Sequence, residues 1–249
     1  MTTRDTTVAV FRPDDERLRD AVELVESLGA TPVPDPMLEV RETGASPRAD
    51  AEYTILTSKT GAEIARETGW ESGGTTVCAI GSATAEALRE QGYGVDLVPE
   101  EYTSTGLVEA LGDRVDGSRV EVARSDHGSE VLLEGLGSAG AYVHETVLYE
   151  LVRPDGAGES AELAAAGELD AVCFTSSLTV ENFLDAAEER GIRAEAVDGL
   201  TDAVVGVIGP PTRETAEGEG VAVDVVPEHA DFEELACAVV EAAAPTYRD

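Results

Sequence analysis

The chain has 249 residues, 42% of them hydrophobic, and its 51 Asp and Glu against 17 Lys and Arg give a formal net charge of −34. The apolar share excludes a disordered acidic tail and suffices for two domains of about 100 to 130 residues, and the acidic balance leaves no basic stripe for nucleic acid. No apolar run nears the roughly 18 residues of a membrane span and the N-terminus lacks signal-peptide character, so a cytoplasmic protein with no membrane partner is expected.

Val8-Ala9-Val10-Phe11 reads as a buried strand ending at Arg12. Pro13 suits the first turn of a helix whose apolar stripe is Leu18, Val22, Val25 and Leu28 and which stops at Gly29. A proline-marked extended stretch covers 32–42. Tyr53 to Leu56 is a strand closing on Thr57-Ser58, and Val77 to Ile80 closes on Gly81-Ser82, with Gly92 ending the helix that follows. Val120 to Ala123 leads to Arg124 and another helix, and a second extended stretch covers 142–154. Ala171 to Phe174 closes on Thr175-Ser176 with Gly191 ending its helix, and Ala203 to Ile208 closes on Gly209. Asp231 with Glu234 makes a capping box for the last helix.

These segments repeat. Asp50 to Ser58 resembles Asp170 to Ser176, and Val77 to Gly81, a helix and Gly92 to Pro99 match Val205 to Gly209, a helix and Gly220 to Pro227. Val8 to Arg12, a helix and Gly29-Ala30 echo Val120 to Arg124, a helix and Gly140-Ala141. The order is a, b, a, b. Strands alternating with helices of roughly 10 to 15 residues give parallel sheets with right-handed crossovers and helices on both faces. The expected fold is therefore α/β, with two similar domains joined by 32–42 and 142–154 as a two-stranded linker. The pattern leaves open whether the domains are sequential or swapped.

Lys59 is the one lysine. So acidic and arginine-biased a surface fits molar salt, where screening over about 3 Å removes self-repulsion, and a halophilic source is expected. Cys78, Cys173 and Cys237 sit singly in apolar stretches and read as reduced, buried thiols. His127, His144 and His229 lie far apart without metal-ligand spacing, so no metal is expected.

In an open parallel sheet, ligands bind beyond the carboxyl ends of the strands, where loops lead into helix N-termini. That rule selects Arg12; Thr57, Ser58 and Lys59; Gly81, Ser82 and Thr84; Tyr102 and Thr103; Arg124; Thr175, Ser176 and Ser177; and Gly209 with Thr212. Hydroxyls, glycine and arginine at every turn offer donors for carboxylate or phosphate oxygens, so the expected ligand is an anion, held in a cleft between the two domains. The plainer alternative is that these Ser and Thr only cap helices. Arg12 and Arg124 follow equivalent strands and are expected to hold carboxylates. Neither Thr-Ser loop has P-loop spacing, no GxGxxG opens a helix and no GxSxG elbow is present, so no nucleotide cofactor or covalent catalysis is indicated.

The ordered set Val10-Phe11-Arg12-Pro13, Ile55-Leu56-Thr57-Ser58, Ala79 to Ala85, Pro99 to Leu107, Arg124, Leu148-Tyr149, Asp170 to Ser176 and Ile208 to Thr212 resembles the uroporphyrinogen-III synthase family over nearly the whole chain. The resemblance implies flavodoxin-like, doubly wound domains, swapped as 1–31 plus 155–249 and 43–141. It implies a linear tetrapyrrole substrate, hydroxymethylbilane, whose eight carboxylates are held largely by backbone N–H groups. It also implies no cofactor, and a reaction in which hydroxide leaves, the last ring is attacked at its substituted carbon, and a spiro intermediate rearranges with inversion of ring D. The family's favoured acid is a tyrosine in the second linker, matched by Tyr149. Lys59 and Arg213 depart from the family pattern. A non-catalytic tetrapyrrole- or anion-binding sensor of the same fold is the alternative, and a monomer is the expected state.

Overall fold

The computed structural model describes residues 6–244; the expected domain ends at 1–5 and 245–249 lie outside the described residues. The elements are β1 (Thr7–Val10), α1 (Glu16–Ser27), β2 (Thr31–Pro34), β3 (Glu39–Glu42), β4 (Tyr53–Leu56), α2 (Lys59–Glu67), β5 (Thr76–Ala79), α3 (Ser82–Glu90), α4 (Ser104–Leu111), β6 (Arg119–Ser125), α5 (Glu130–Ser138), β7 (Tyr142–Val152), α6 (Glu159–Ala165), β8 (Ala171–Phe174), α7 (Ser177–Glu189), α8 (Arg193–Leu200), β9 (Val204–Val207), α9 (Pro210–Gly218) and α10 (Phe232–Ala243). They form two compact units: unit 1, Met1–Glu39 with Val152–Asp249, and unit 2, Val40–Leu151.

Unit 1 carries the sheet β2-β1-β8-β9, with every described pair parallel, and Val225 adds a parallel bridge beside Gly206. Strand residues alternate between two apolar layers, as the two-residue pleat requires. Val8, Val10, Ala171 and Cys173 meet α1 and α10, whereas Ala9, Phe11, Val172, Phe174, Val205 and Val207 meet α6 to α9. Phe11 and Phe174 stack at 4.9 Å and Phe183 closes on both, each ring's burial contributing about 1.5 to 3 kcal/mol. Asp35, buried after β2, accepts from the Gly158 and Ser160 N–H groups, both at 2.9 Å, and from the Ser160 hydroxyl, so it satisfies the start of α6.

Unit 2 carries β3-β7-β6-β4-β5, with Leu97 bridging to Cys78. Its layers are Leu56, Val77, Ala79, Ala123 and Leu148 against α2 and α3, and Ile55, Cys78, Val120 and Val122 against α4 and α5. Both units share one spatial order, but unit 2 begins at a different strand of it. The repeat extends to single bonds. Asp96 Oδ2 accepts from Val77 N–H, and Asp224 Oδ2 from Val205 N–H, each at 2.8 Å.

Several local expectations are corrected. The first helix begins at Glu16, because Asp15 accepts from Arg17 N–H and caps it, leaving Pro13 in the preceding turn. The stretch 32–42 is not one strand: Pro34-Asp35-Pro36 divides it into β2, in the first sheet, and β3, in the second. Asp231 caps α10, but Glu234 turns back to His229 rather than completing the box. Cys237 is exposed on the face of α10 opposite Leu235, Ala236 and Val239. Burial pushes the Cys78 and Cys173 thiols up to about 12, which leaves them unreactive. No described helix is long and apolar enough to cross a membrane.

Candidate functional site

In unit 2 the loops after β4, β5 and β6 meet the end of β7 around a cavity of about 280 Å³, lined by Thr57, Ser58, Ile80, Ser104, Arg124, Ser125, His127, Gly128, Ser129, Leu132 and Tyr149. A larger hollow of about 680 Å³ lies at the amino ends of β4, β6 and β7. It contains none of the expected residues and faces away from the helix starts, so the smaller cavity is the candidate.

Tyr149 reaches this cavity through a break in strand register. Arg124 stands beside Val147, but Ser125 stands beside Tyr149, so one residue of β7 is skipped. Consecutive strand side chains ordinarily point to opposite faces, yet Leu148 and Tyr149 lie in the same apolar layer, as a bulge allows. The Tyr149 hydroxyl, 6% exposed with its residue, donates to Ser58 Oγ at 2.9 Å. Ser58 Oγ also accepts from Gly61 N–H at 2.9 Å as the cap of α2, which leaves its own hydrogen for a third partner.

Arg124 departs from expectation. It is 2% exposed, and its Nε donates to Glu145 at 2.5 Å, Nη1 to Ser129 O at 2.6 Å and Nη2 to Glu130 at 3.1 Å. The donors assigned from sequence to a ligand carboxylate thus hold the following loop in place. A Cβ on Gly128 would come within 2.4 Å of Arg124 Cδ, so glycine there lets the turn fold over the guanidinium. Thr84 is also turned into the core, because the third residue of α3 faces the sheet. Gly81 and Tyr102 meet: a Cβ at Gly81 would lie 3.1 Å from Tyr102 Cγ. Thr103 caps α4, while Lys59 and Ser82 are exposed at helix starts.

Sequence reading missed Asp126 and His127. Asp126 N–H donates to Tyr149 O at 3.2 Å, and Asp126 Oδ1 accepts from Leu151 N–H and faces His127 Nδ1, both at 2.9 Å. Burial alone would raise the Asp126 carboxyl, but the bonds from His127 and Leu151 outweigh it and hold its pKa below the ordinary value. An Asp-His-Gly run just past a strand end was the available signal.

In unit 1, Thr175 Oγ1 donates to Phe11 O at 2.9 Å, joining the ends of β8 and β1 beside Arg12. The Arg12 guanidinium lies 4.5 Å over the Phe232 ring, and its buried Nε finds no acceptor among the described residues. Burial, helped by Arg17, lowers its pKa from the ordinary value. Ser176 and Thr179 form a full capping box on α7, and Ser177 bonds Pro211 O and Thr215, linking the starts of α7 and α9 beside Gly209. Thr212, like Thr84, is buried against the core.

The fold and this edge define a two-unit, flavodoxin-like α/β protein whose strands lead at their carboxyl ends into helix starts, several of them capped by side chains. The profile of the family described as uroporphyrinogen-III synthase HemD matches residues 19–237, and the chain belongs to that family. A relative provisionally named uroporphyrinogen-III synthase in Methanothermobacter thermautotrophicus is 35% identical, with 93% of this chain and 96% of that protein covered. The uroporphyrinogen-III synthase of Synechococcus elongatus is 30% identical over 68% of this chain and 67% of its own length. A crystal structure of a mutant uroporphyrinogen III synthase from Thermus thermophilus shares the fold at a TM-score of 0.68 and 19% identity, covering 96% of this chain and 98% of that one.

Proposed function

We propose that this chain closes hydroxymethylbilane to uroporphyrinogen III with inversion of the last ring, as a cyclising lyase of tetrapyrrole biosynthesis. The observation that carries the reading is the Tyr149–Ser58 contact at the start of α2, inside a hydroxyl-lined cavity. Family membership over residues 19–237 supports it.

Departure of hydroxide from the terminal hydroxymethyl group needs a proton at the leaving oxygen. Tyr149 already directs its hydrogen at an oxygen, Ser58 Oγ, and a leaving hydroxyl that takes the place of that acceptor receives the proton and departs as water. The azafulvenium cation left behind is attacked by the substituted carbon of the last ring, and the spiro intermediate rearranges and closes. Proton loss from the closing ring balances the proton given to water. The rest of the task is orientation, because the free substrate closes to the uninverted isomer. Backbone N–H groups at the helix starts around this cavity hold carboxylates, and Arg12 is read as a further carboxylate holder. The acidic surface suits a monomer in a cytoplasm of molar salt.

Purified protein given hydroxymethylbilane in molar salt is expected to form the inverted isomer in excess. The uninverted isomer alone would overturn the reading in favour of a non-catalytic tetrapyrrole-binding module.

A further inference from the structure

We propose that His127, held by Asp126, binds one substrate carboxylate through its Nε2 in the cavity that contains Tyr149, an inference that rests on the activity proposed above. Asp126 is a positioning residue in this arrangement. Asp126 Oδ1 pairs with His127 Nδ1 at 2.9 Å, so Nε2 is the ring nitrogen left to meet a ligand, and it must carry a hydrogen to donate to a carboxylate, which can only accept.

The turn that carries the ring is fixed from three sides. Asp126 is bonded to Tyr149 O and to Leu151 N–H, both just past the bulge that aims the phenol. Gly128 N–H bonds Ser125 O at 3.3 Å, and the turn lies on the buried Arg124 guanidinium. His127 is thereby tied to the same strand as Tyr149, so a carboxylate on its Nε2 would anchor the substrate relative to the reacting group.

The cavity needs such a group. Its two basic lining side chains are Arg124 and His127. Arg124 is committed to Glu145, Glu130 and Ser129, whereas His127 is 45% exposed and has one nitrogen to offer. A hydrogen on Nε2 would donate to one carboxylate of a polyanion entering a chain whose net charge is −34.

The experiment compares His127→Gln, His127→Arg, Asp126→Ala and the His127→Gln/Asp126→Ala pair, each checked for the parent's thermal unfolding. With hydroxymethylbilane, His127→Gln is expected to raise KM about tenfold at nearly unchanged kcat, and His127→Arg to restore most of the loss. Asp126→Ala should raise KM similarly, and the double variant should add little to either single one. An unchanged KM in His127→Gln, or no rescue by arginine, overturns the carboxylate contact. Additive effects overturn the positioning role of Asp126. Equilibrium titration with an octacarboxylate porphyrin makes the same comparison without turnover, so the contact is judged even if cyclisation fails in the parent protein.

Discussion

At Tyr149 two successive side chains share one face of a strand, and the reading of the site turns on that irregularity. Tyr149→Phe keeps the ring in its apolar layer and removes the donor, so turnover is expected to fall at least about tenfold, with about 1 kcal/mol of stability lost with the Ser58 bond. Steady-state kinetics beside a denaturant melt check this, and unchanged turnover would remove Tyr149 from the mechanism. Ser58, Thr103 and Ser176 were legible as helix caps because capping is decided within three or four residues. The commitment of Arg124 to Glu145, on the neighbouring strand, depends on pairing that local pattern does not contain. Thr84 and Thr212 were misplaced for a simpler reason: as third residues of their helices they face inward, which helical periodicity already implied.

Among the elements, the strand–helix–strand pieces beginning at Val77 and Val205 were readable as copies, and their matched aspartate bonds show that the copies agree in detail. Helices α6 and α8 were not separated in the sequence, because their contact rests on small residues rather than a broad apolar stripe. A Cβ at Gly199 would stand 1.9 Å from the Ala164 carbonyl oxygen, so the two helices approach backbone to backbone. Since a carbonyl cannot turn aside as a side chain can, Gly199→Ala should force the pair apart and cost roughly 2 to 3 kcal/mol. Urea unfolding measures it, and a variant as stable as the parent would show that the helices yield without loss. The control Gly218→Ala meets nothing within 4 Å and should lack this steric cost.

For the whole molecule, charge dominates. Exposed ion pairs such as Arg119–Glu52 and Arg213–Glu217 contribute at most about 1 kcal/mol each, too little to offset the repulsion of a −34 chain. Where screening offsets that repulsion, the thermal midpoint is expected to rise as potassium chloride goes from about 0.1 to about 2 M. Calorimetry in that series decides it, a flat or falling midpoint contradicting adaptation to salt. The number of domains was legible from length and repeat, but the residue pattern left the assembly of unit 1 open, and the pairing of 1–31 with 155–249 came only from the family resemblance. Its central pairing joins Val8 to Ala171, a contact that neither segment's composition announces.

The chain departs from unit 1 at Glu39 and returns at Val152 through β3 and β7, which are neighbours in one sheet, with Thr43 N–H bonded to Leu148 O at 3.0 Å. An insertion whose two ends touch is a cassette. Replacing everything between them by a short loop would keep β2, β1, β8 and β9 of unit 1 in unbroken order.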